Sequence, residues 1–179
     1  MKTTQILIAG FGGQGILFSG KFLAYKGLIE ELQVSWLPSY GPEMRGGTAN
    51  CNVILSDTPV GSPIITVPDV LIAMNLPSLQ KYVNSVAKGG QIYVDSSLID
   101  AKVERDDVEV FYIPATQMAK DAGIGTLANM IIIGHLLENH PELSFIGTDK
   151  VVESLVPPKK AALKELNMKA LDLGKSYNK

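Results

Sequence analysis

Cysteine is almost missing from this sequence: Cys51 is the only one in 179 residues. No disulfide can close within the chain, and a four-thiolate iron–sulfur cluster cannot be ligated from it alone. Net charge is nearly absent as well, since 16 Lys and Arg against 18 Asp and Glu leave −2. That balance gives no electrostatic pull toward nucleic acid or anionic lipid, and neither is expected as a partner. Long apolar runs are lacking; the stretch around residues 130–133 falls well short of the roughly 20 residues needed to cross a bilayer. Residues 1–5, Met-Lys-Thr-Thr-Gln, pass at once into a strand-like run and not into a signal peptide. These absences read as a cytoplasmic protein. Histidine is scarce, and neither copy suggests a metal ligand. His135 sits on an otherwise apolar helix, where a packed core histidine is the simpler reading, and His140 before Pro141 marks a helix end. Cys51 lies in a strand-like run with nothing near it in sequence to lower its pKa, so it reads as an inert small hydrophobe.

What the chain does have is an ordinary globular composition, 46% hydrophobic and 19% charged. Its length fits one domain, residues 1–179, at about 100 to 200 residues per domain. Residues 5–9 form a short apolar run bounded by glycine, which suits a buried strand. After Gly15 the period changes: Ile16, Leu17, Gly20, Leu23, Ala24, Gly27 and Leu28 recur at helical steps, and this helix ends near Glu31. Strands follow at 33–37 and 48–55, the second suited to an antiparallel position, and then at 70–74. A helix over 75–87 is stopped by Lys88-Gly89-Gly90. Strands fit 91–94 and 108–113, helices fit 126–138 and 149–155, and Pro157-Pro158 precedes a last helix with Leu163, Leu166, Ala170 and Leu173 on one face. The run Glu104-Arg105-Asp106-Asp107 reads as a solvated turn. Short strands alternating with helices predict an α/β fold: three layers, α/β/α, around a mostly parallel but mixed, Rossmann-like sheet. Ligands of such sheets bind beyond the carboxyl ends of the strands, so the loops after residues 9, 37, 74, 94 and 113 matter most.

The first of these loops is Gly10-Phe11-Gly12-Gly13-Gln14-Gly15. Glycines there permit a tight turn and let a phosphate or a pantetheine amide approach backbone N–H groups at a helix N-terminus. Gln14 adds a side-chain donor and acceptor. The plainer alternative is that the glycines serve only close packing of helix on strand. A dinucleotide site would also want an acidic residue at the end of the second strand, and residues 34–39 offer none, which disfavours NAD.

The second loop, Ser39-Tyr40-Gly41-Pro42-Glu43-Met44-Arg45-Gly46-Gly47, is stiffened by glycine and proline. Arg45 suits a carboxylate or phosphate clamp, with Glu43 to orient it. A surface pair of little energetic value, or a subunit contact, explains the same residues.

Taken together, these two loops make the chain similar to the gamma subunits of 2-oxoacid:ferredoxin oxidoreductases. Further matching pieces are Ser62-Pro63, Asp69-Val70-Leu71-Ile72-Ala73-Met74, Gly89-Gly90, Asp95-Ser96-Ser97-Leu98, Ile113-Pro114-Ala115-Thr116 and Ala128-Asn129-Met130. The resemblance, nearest to the 2-oxoglutarate branch, implies a subunit inactive alone. With alpha and beta partners, and in some complexes a delta subunit, it would assist oxidative decarboxylation of a 2-oxoacid to an acyl-CoA. Thiamine diphosphate and iron–sulfur clusters would belong to those partners, ferredoxin would be met only indirectly, and the isolated chain would be a homodimer. Carried over residue by residue, Gly10, Gly12, Gly13, Gln14 and Gly15 would meet coenzyme A or the edge of the active site. Glu43 and Arg45 would shape the adjoining subunit seam, with Thr116 and Asn129 as further binding candidates and no catalytic residue in this chain. Ile124 departs from the Gly-Asn pair expected near residues 122–125. The rival readings are a stand-alone nucleotide-binding enzyme and a purely architectural subunit.

Overall fold

The computed structural model describes residues 3–39 and 48–178. Strand β1 (Thr4–Phe11) is apolar on both faces, with Ile6 and Ile8 on one side and Leu7 on the other, all buried. A strand of that kind belongs in the middle of a sheet. It lies there: the order is β2-β3-β1-β4-β5-β6, with β2 at Gln33–Ser39, β3 at Thr48–Ser56, β4 at Val70–Ala73, β5 at Gln91–Asp95 and β6 at Glu109–Ile113. β1, β4, β5 and β6 pair in parallel. β3 runs against both β1 and β2, as its position between two connected strands requires and as the sequence suggested.

Helix α1 (Ile16–Ile29) returns along β2 and β3. Glycine weakens a helix interior, yet Gly20 and Gly27 are needed. A Cβ on Gly20 would stand 2.9 Å from Trp36 Nε1, and one on Gly27 would stand 2.6 Å from Leu55 Cδ2. The helix is buried on more sides than a single stripe provides: Phe22 and Lys26 are inside, while Leu28, expected inside, is 58% exposed. The cause is that α1 packs against helices as well as the sheet, meeting α4 (Ala128–Asn139) and α5 (Thr148–Leu155).

These helices, with α6 (Ala161–Lys175), build one layer over a large core on the Ile6, Ile72 and Tyr93 face of the sheet. The opposite face holds a smaller core of Leu7, Leu71, Leu79, Ile92 and Val94 under α2 (Leu76–Tyr82). Alternate residues of β1, β4, β5 and β6 thus feed different layers, and the three-layer α/β/α expectation is met.

Four readings need correction. The helix over 75–87 stops early, as α2 gives way to a 3-10 turn at Val83–Ser85. There Arg105 Nη1 donates to the carbonyl oxygens of Val83 and Val86 at 2.9 and 2.8 Å, and its Nε and Nη2 clasp Asp107. The charge run is therefore a clamp on the end of α2, not only a solvated turn. Helix α3 (Ala115–Asp121) was not anticipated, because only Ala115 and Ala119 are buried and two alanines make a faint stripe. On α6 the inward face is Asn167, Ala170, Leu171 and Gly174, whereas Leu163 is 37% exposed. No helix among the described residues is long and apolar enough to cross a membrane.

Candidate functional site

The carboxyl ends of β1, β4, β5 and β6 share one edge of the sheet, and the glycine-rich turn stands at its centre. Gly10 is held to glycine by packing, since a Cβ would fall 2.7 Å from both Gln14 Oε1 and Ile16 Cδ1 and 2.8 Å from Met74 Cβ. Gly13 and Gly15 have φ of +97° and +75°, conformations that side chains disfavour, and a Cβ on Gly13 would meet nothing within 4 Å. The turn therefore serves both readings: close packing at Gly10 and an open, bent backbone at Gly13. Phe11 is 38% exposed and Gly13 is exposed too, so the bend faces outward.

Gln14 is engaged within the chain. Its Nε2 donates to the Met74 carbonyl at 2.8 Å and its Oε1 accepts from the Phe11 amide at 2.6 Å. The side chain straps the turn to the end of β4, so any service to a ligand is through placement of the amides. Helix α1 begins at Gly15 with no side-chain cap and no acidic residue in its first turn. Its leading N–H groups and dipole thus favour an anionic or carbonyl oxygen. A shallow trough of about 280 Å³ lies over them, lined by Phe11, Gly12, Gly13, Gly15, Leu17 and Ala49 among others.

Thr116 is likewise turned inward. Its Oγ1 donates to Asp95 Oδ2 at 2.5 Å, and Asp95 Oδ1 accepts from the amides of Thr116 and Ser97. Asp95, fully buried at the end of β5, ties the start of α3 to the sheet. Asn129 joins α4 to α1: its Nδ2 donates to the Gly15 carbonyl at 3.2 Å and to Ser19 Oγ at 2.9 Å. The polar amide on an apolar helix has thus found backbone, as its position required. Ile124 is buried in the large core behind Gly123, whose φ is +71°, so an apolar contact fills the departure from the Gly-Asn pattern.

Sequence reasoning passed over Asp95 and Asn75 as ordering groups of this edge. Asn75 caps α2 by accepting from the Ser78 amide at 2.8 Å. The signal was present, since Asn followed by Leu-Pro-Ser is a helix start. Of the partners of Asp95 only the Ser97 amide is local, and Thr116, which it ties to the sheet, lies 21 residues on. Glu43 and Arg45 lie outside the described residues.

Cys51 is fully buried, and loss of solvation pushes its thiol up to about 12, partly offset by the Trp36 indole. It is inert, as expected. His135 is packed among Tyr93, Phe111 and Tyr177, and burial holds its pKa below the ordinary value.

The arrangement is a glycine-rich turn, uncapped and outward-facing, at the carboxyl edge of a mixed sheet with one antiparallel strand. The chain belongs to the family of pyruvate ferredoxin/flavodoxin oxidoreductases, whose model matches residues 5–177. It is 33% identical over 188 aligned positions to the ketoisovalerate oxidoreductase subunit VorA of Methanothermobacter marburgensis, covering 98% of this chain and 37% of the relative. The chain thus spans about a third of the length of the VorA relatives it matches. With the 2-oxoglutarate synthase subunit KorC of Methanothermobacter thermautotrophicus it shares 34% identity over 178 positions, covering 96% of this chain and 93% of that one. Among solved structures, the gamma subunit of a keto/oxoacid ferredoxin oxidoreductase from Geobacter sulfurreducens superposes with a TM-score of 0.80 at 31% identity, over 96% and 95% of the two chains. The 2-oxoglutarate:ferredoxin oxidoreductase of Magnetococcus marinus, solved with 2-oxoglutarate, coenzyme A and succinyl-CoA bound, superposes with a TM-score of 0.86 at 27% identity, over 98% of this chain and 31% of that one.

Proposed function

We propose that this chain is the gamma subunit of a cytoplasmic, ferredoxin-linked 2-oxoacid oxidoreductase, most akin to those acting on 2-oxoglutarate, and that it offers its glycine-rich turn to coenzyme A. The observation behind this reading is the start of α1: amide donors without a side-chain cap, free of acidic neighbours, in an outward-facing bend at the carboxyl edge of the sheet. A coenzyme phosphate or pantetheine carbonyl would accept from the amides at Gly12, Gly13 and Gly15. Gln14 fixes their direction from behind, Asn129 holds Gly15, and Thr116 with Asp95 steadies the neighbouring loop. The near-complete mutual coverage with a KorC subunit supports a role as a separate subunit, and a relative holding coenzyme A supports the ligand. Thiamine diphosphate and the iron–sulfur clusters would sit in alpha and beta partners, where the 2-oxoacid is decarboxylated and electrons leave for ferredoxin. The residues here do the binding and gating. As one domain over residues 1–179, the chain would contribute through its edge and not through a catalytic group.

The test is reconstitution. The purified chain should show no turnover with 2-oxoglutarate, coenzyme A and an electron-accepting dye, and adding alpha and beta subunits should restore it; turnover by the chain alone would sink the proposal. In thermal melts coenzyme A should stabilise the chain more than NAD(H), because a native-state ligand stabilises according to its affinity. The reverse order would favour a stand-alone nucleotide-binding enzyme.

A further inference from the structure

The two margins of the sheet are finished differently. At β6 the end of the chain turns back over the edge, and Tyr177 Oη donates to the Tyr112 carbonyl at 3.3 Å. At β2, among the described residues, no strand pairs with the outer side. β2 is antiparallel to β3 alone, so alternate residues point their backbone N–H and C=O groups away from the sheet. Edge strands are ordinarily blunted by charge, yet residues 33–37, Gln-Val-Ser-Trp-Leu, carry none, and only Pro38 interrupts the strand. Such an edge is a template for another strand.

Helix α1 indicates whose strand that is. Gly20 packs on Trp36 of β2 and Cys51 of β3, and Gly27 packs on Val34 and Leu55, so α1 lies over the seam between these two strands. Ser19, the residue before Gly20, meets Asn129 of α4 on the inner flank. Residues advance roughly 100° each around a helix, so the outer flank, beside the free edge of β2, carries Lys21, Ala24, Leu28 and Glu31. Leu28 is 58% exposed, and Lys21 and Glu31 are exposed to either side of it. This order is self-complementary. Two copies of α1 set antiparallel bring Lys21 to the partner's Glu31 and Leu28 to the partner's Ala24, twice over. The spacing agrees as well. Paired strands lie about 4.8 Å apart, so a two-fold axis midway between two β2 strands runs about 4.8 Å from the seam under α1. The two helices would then stand roughly 10 Å apart, within the usual helix packing distance of about 8–10 Å.

We infer that the outer edge of β2 pairs with the same edge of a second copy of this chain, antiparallel across a two-fold axis. The six strands of each copy form one continuous sheet, with the two α1 helices side by side above the join. Lys21 of each copy pairs with the partner's Glu31, and Leu28 covers the partner's Ala24. The glycine-rich turn, at the start of α1, stays open, so the pairing rests neither on coenzyme binding there nor on the family resemblance.

Sedimentation equilibrium of the full chain over a concentration series tests this. The chain should form a dimer and no larger species, because such an interface closes on itself. Each substitution enters the interface twice. Lys21→Glu and Glu31→Lys, both at exposed positions, should each weaken dimerisation by about tenfold or more, as two exposed ion pairs turn repulsive. The double variant Lys21→Glu, Glu31→Lys should restore it. Leu28→Lys should weaken it with the circular dichroism of the fold unchanged. In hydrogen exchange, amides within residues 33–37 should gain protection as concentration rises, and those of β6 should not. A monomer at every concentration, single substitutions without effect, a double reversal that fails to restore the dimer, or β2 amides indifferent to concentration would overturn the proposal. So would β2 amides protected only on adding alpha and beta subunits, which would give the edge to those partners.

Discussion

An added methyl at Gly10 would press on Gln14 Oε1, Ile16 Cδ1 and Met74 Cβ, all within 2.8 Å, whereas at Gly13 it would meet open space but inherit a φ of +97°. The two glycines of one turn are therefore constrained by different physics, and substitution separates them. Gly10→Ala should cost about 1–3 kcal/mol through overpacking, and Gly13→Ala about 1–2 kcal/mol through backbone strain. Asparagine tolerates the left-handed region but is larger, so Gly13→Asn should recover part of the loss and Gly10→Asn should deepen it. Urea unfolding of the four variants checks this, and equal stability of the two asparagine variants would refute the division. Lys26 poses a different problem, being fully buried in α1 with its ammonium paired to Glu30 one turn on. Glu30→Ala should destabilise by about 3 kcal/mol, the lower end for breaking a buried pair, because Glu30 itself keeps some water. Lys26→Met, removing charge and desolvation together, should be neutral or stabilising. A Lys26→Met variant weaker than Glu30→Ala would show that the pair contributes net stability.

The crossing of α4 and α6 shows how elements depend on contacts the sequence does not display. Gly134 lies on the backbone of Leu171, and Gly174 on the backbone of Ile131, so neither position has room for a Cβ. The pattern of α6 predicted Leu163, Leu166, Ala170 and Leu173 inward; Ala170 is buried and Leu166 and Leu173 pack half-buried on the core, while the close approach adds Asn167, Leu171 and Gly174 and leaves Leu163 exposed. Periodicity located the helix but set the centre of its face askew, because small residues at a tight crossing look like weak hydrophobes. Local patterning did suffice for β1, for the antiparallel β3 and for the turn that opens α1. It did not suffice where partners lie far apart in sequence, as with Gln14 and Met74 or Thr116 and Asp95. His135 sits in this same crossing, with Nδ1 beside the Gly174 carbonyl, Nε2 unpaired, and Tyr93, Phe111 and Tyr177 around the ring. Burial lowers its pKa, with Gly174, Glu138 and Tyr177 opposing. The unfolded chain then binds the proton more readily than the native one, so His135's contribution is full above about pH 6.5 and is lost as pH falls through the lowered native value. The melting temperature should decline between about pH 7 and 5, and His135→Phe should flatten that part of the profile. An identical profile in the variant would place the effect elsewhere.

Across the whole molecule the two faces of the sheet are unequally covered. The α1, α4, α5 and α6 layer seals a core that draws on every strand but β2 with fully or nearly fully buried side chains, while α2 and its 3-10 turn cover a smaller cluster on the other side. Only Ser78 and Leu79 of α2 are buried, and the end of α2 is held by the Arg105 clamp. Opening α2 alone would uncover far less apolar surface than global unfolding, so it should be a low-energy excursion. In native-state hydrogen exchange, the amides of residues 79–82 should exchange through an opening below the global free energy and largely independent of denaturant. Those of β1 and β4, between partners on both sides, should exchange only on complete unfolding. Arg105→Ala should accelerate the α2 amides and leave the central strands unchanged. The position of α2 makes this more than a stability question: its cap, Asn75, adjoins Met74, whose carbonyl holds Gln14. Loosening α2 would release the strap that aims the turn. If Arg105→Ala left α2 exchange unaltered, or slowed the central strands and α2 together, the two faces would be one cooperative unit and the turn would be insulated from α2.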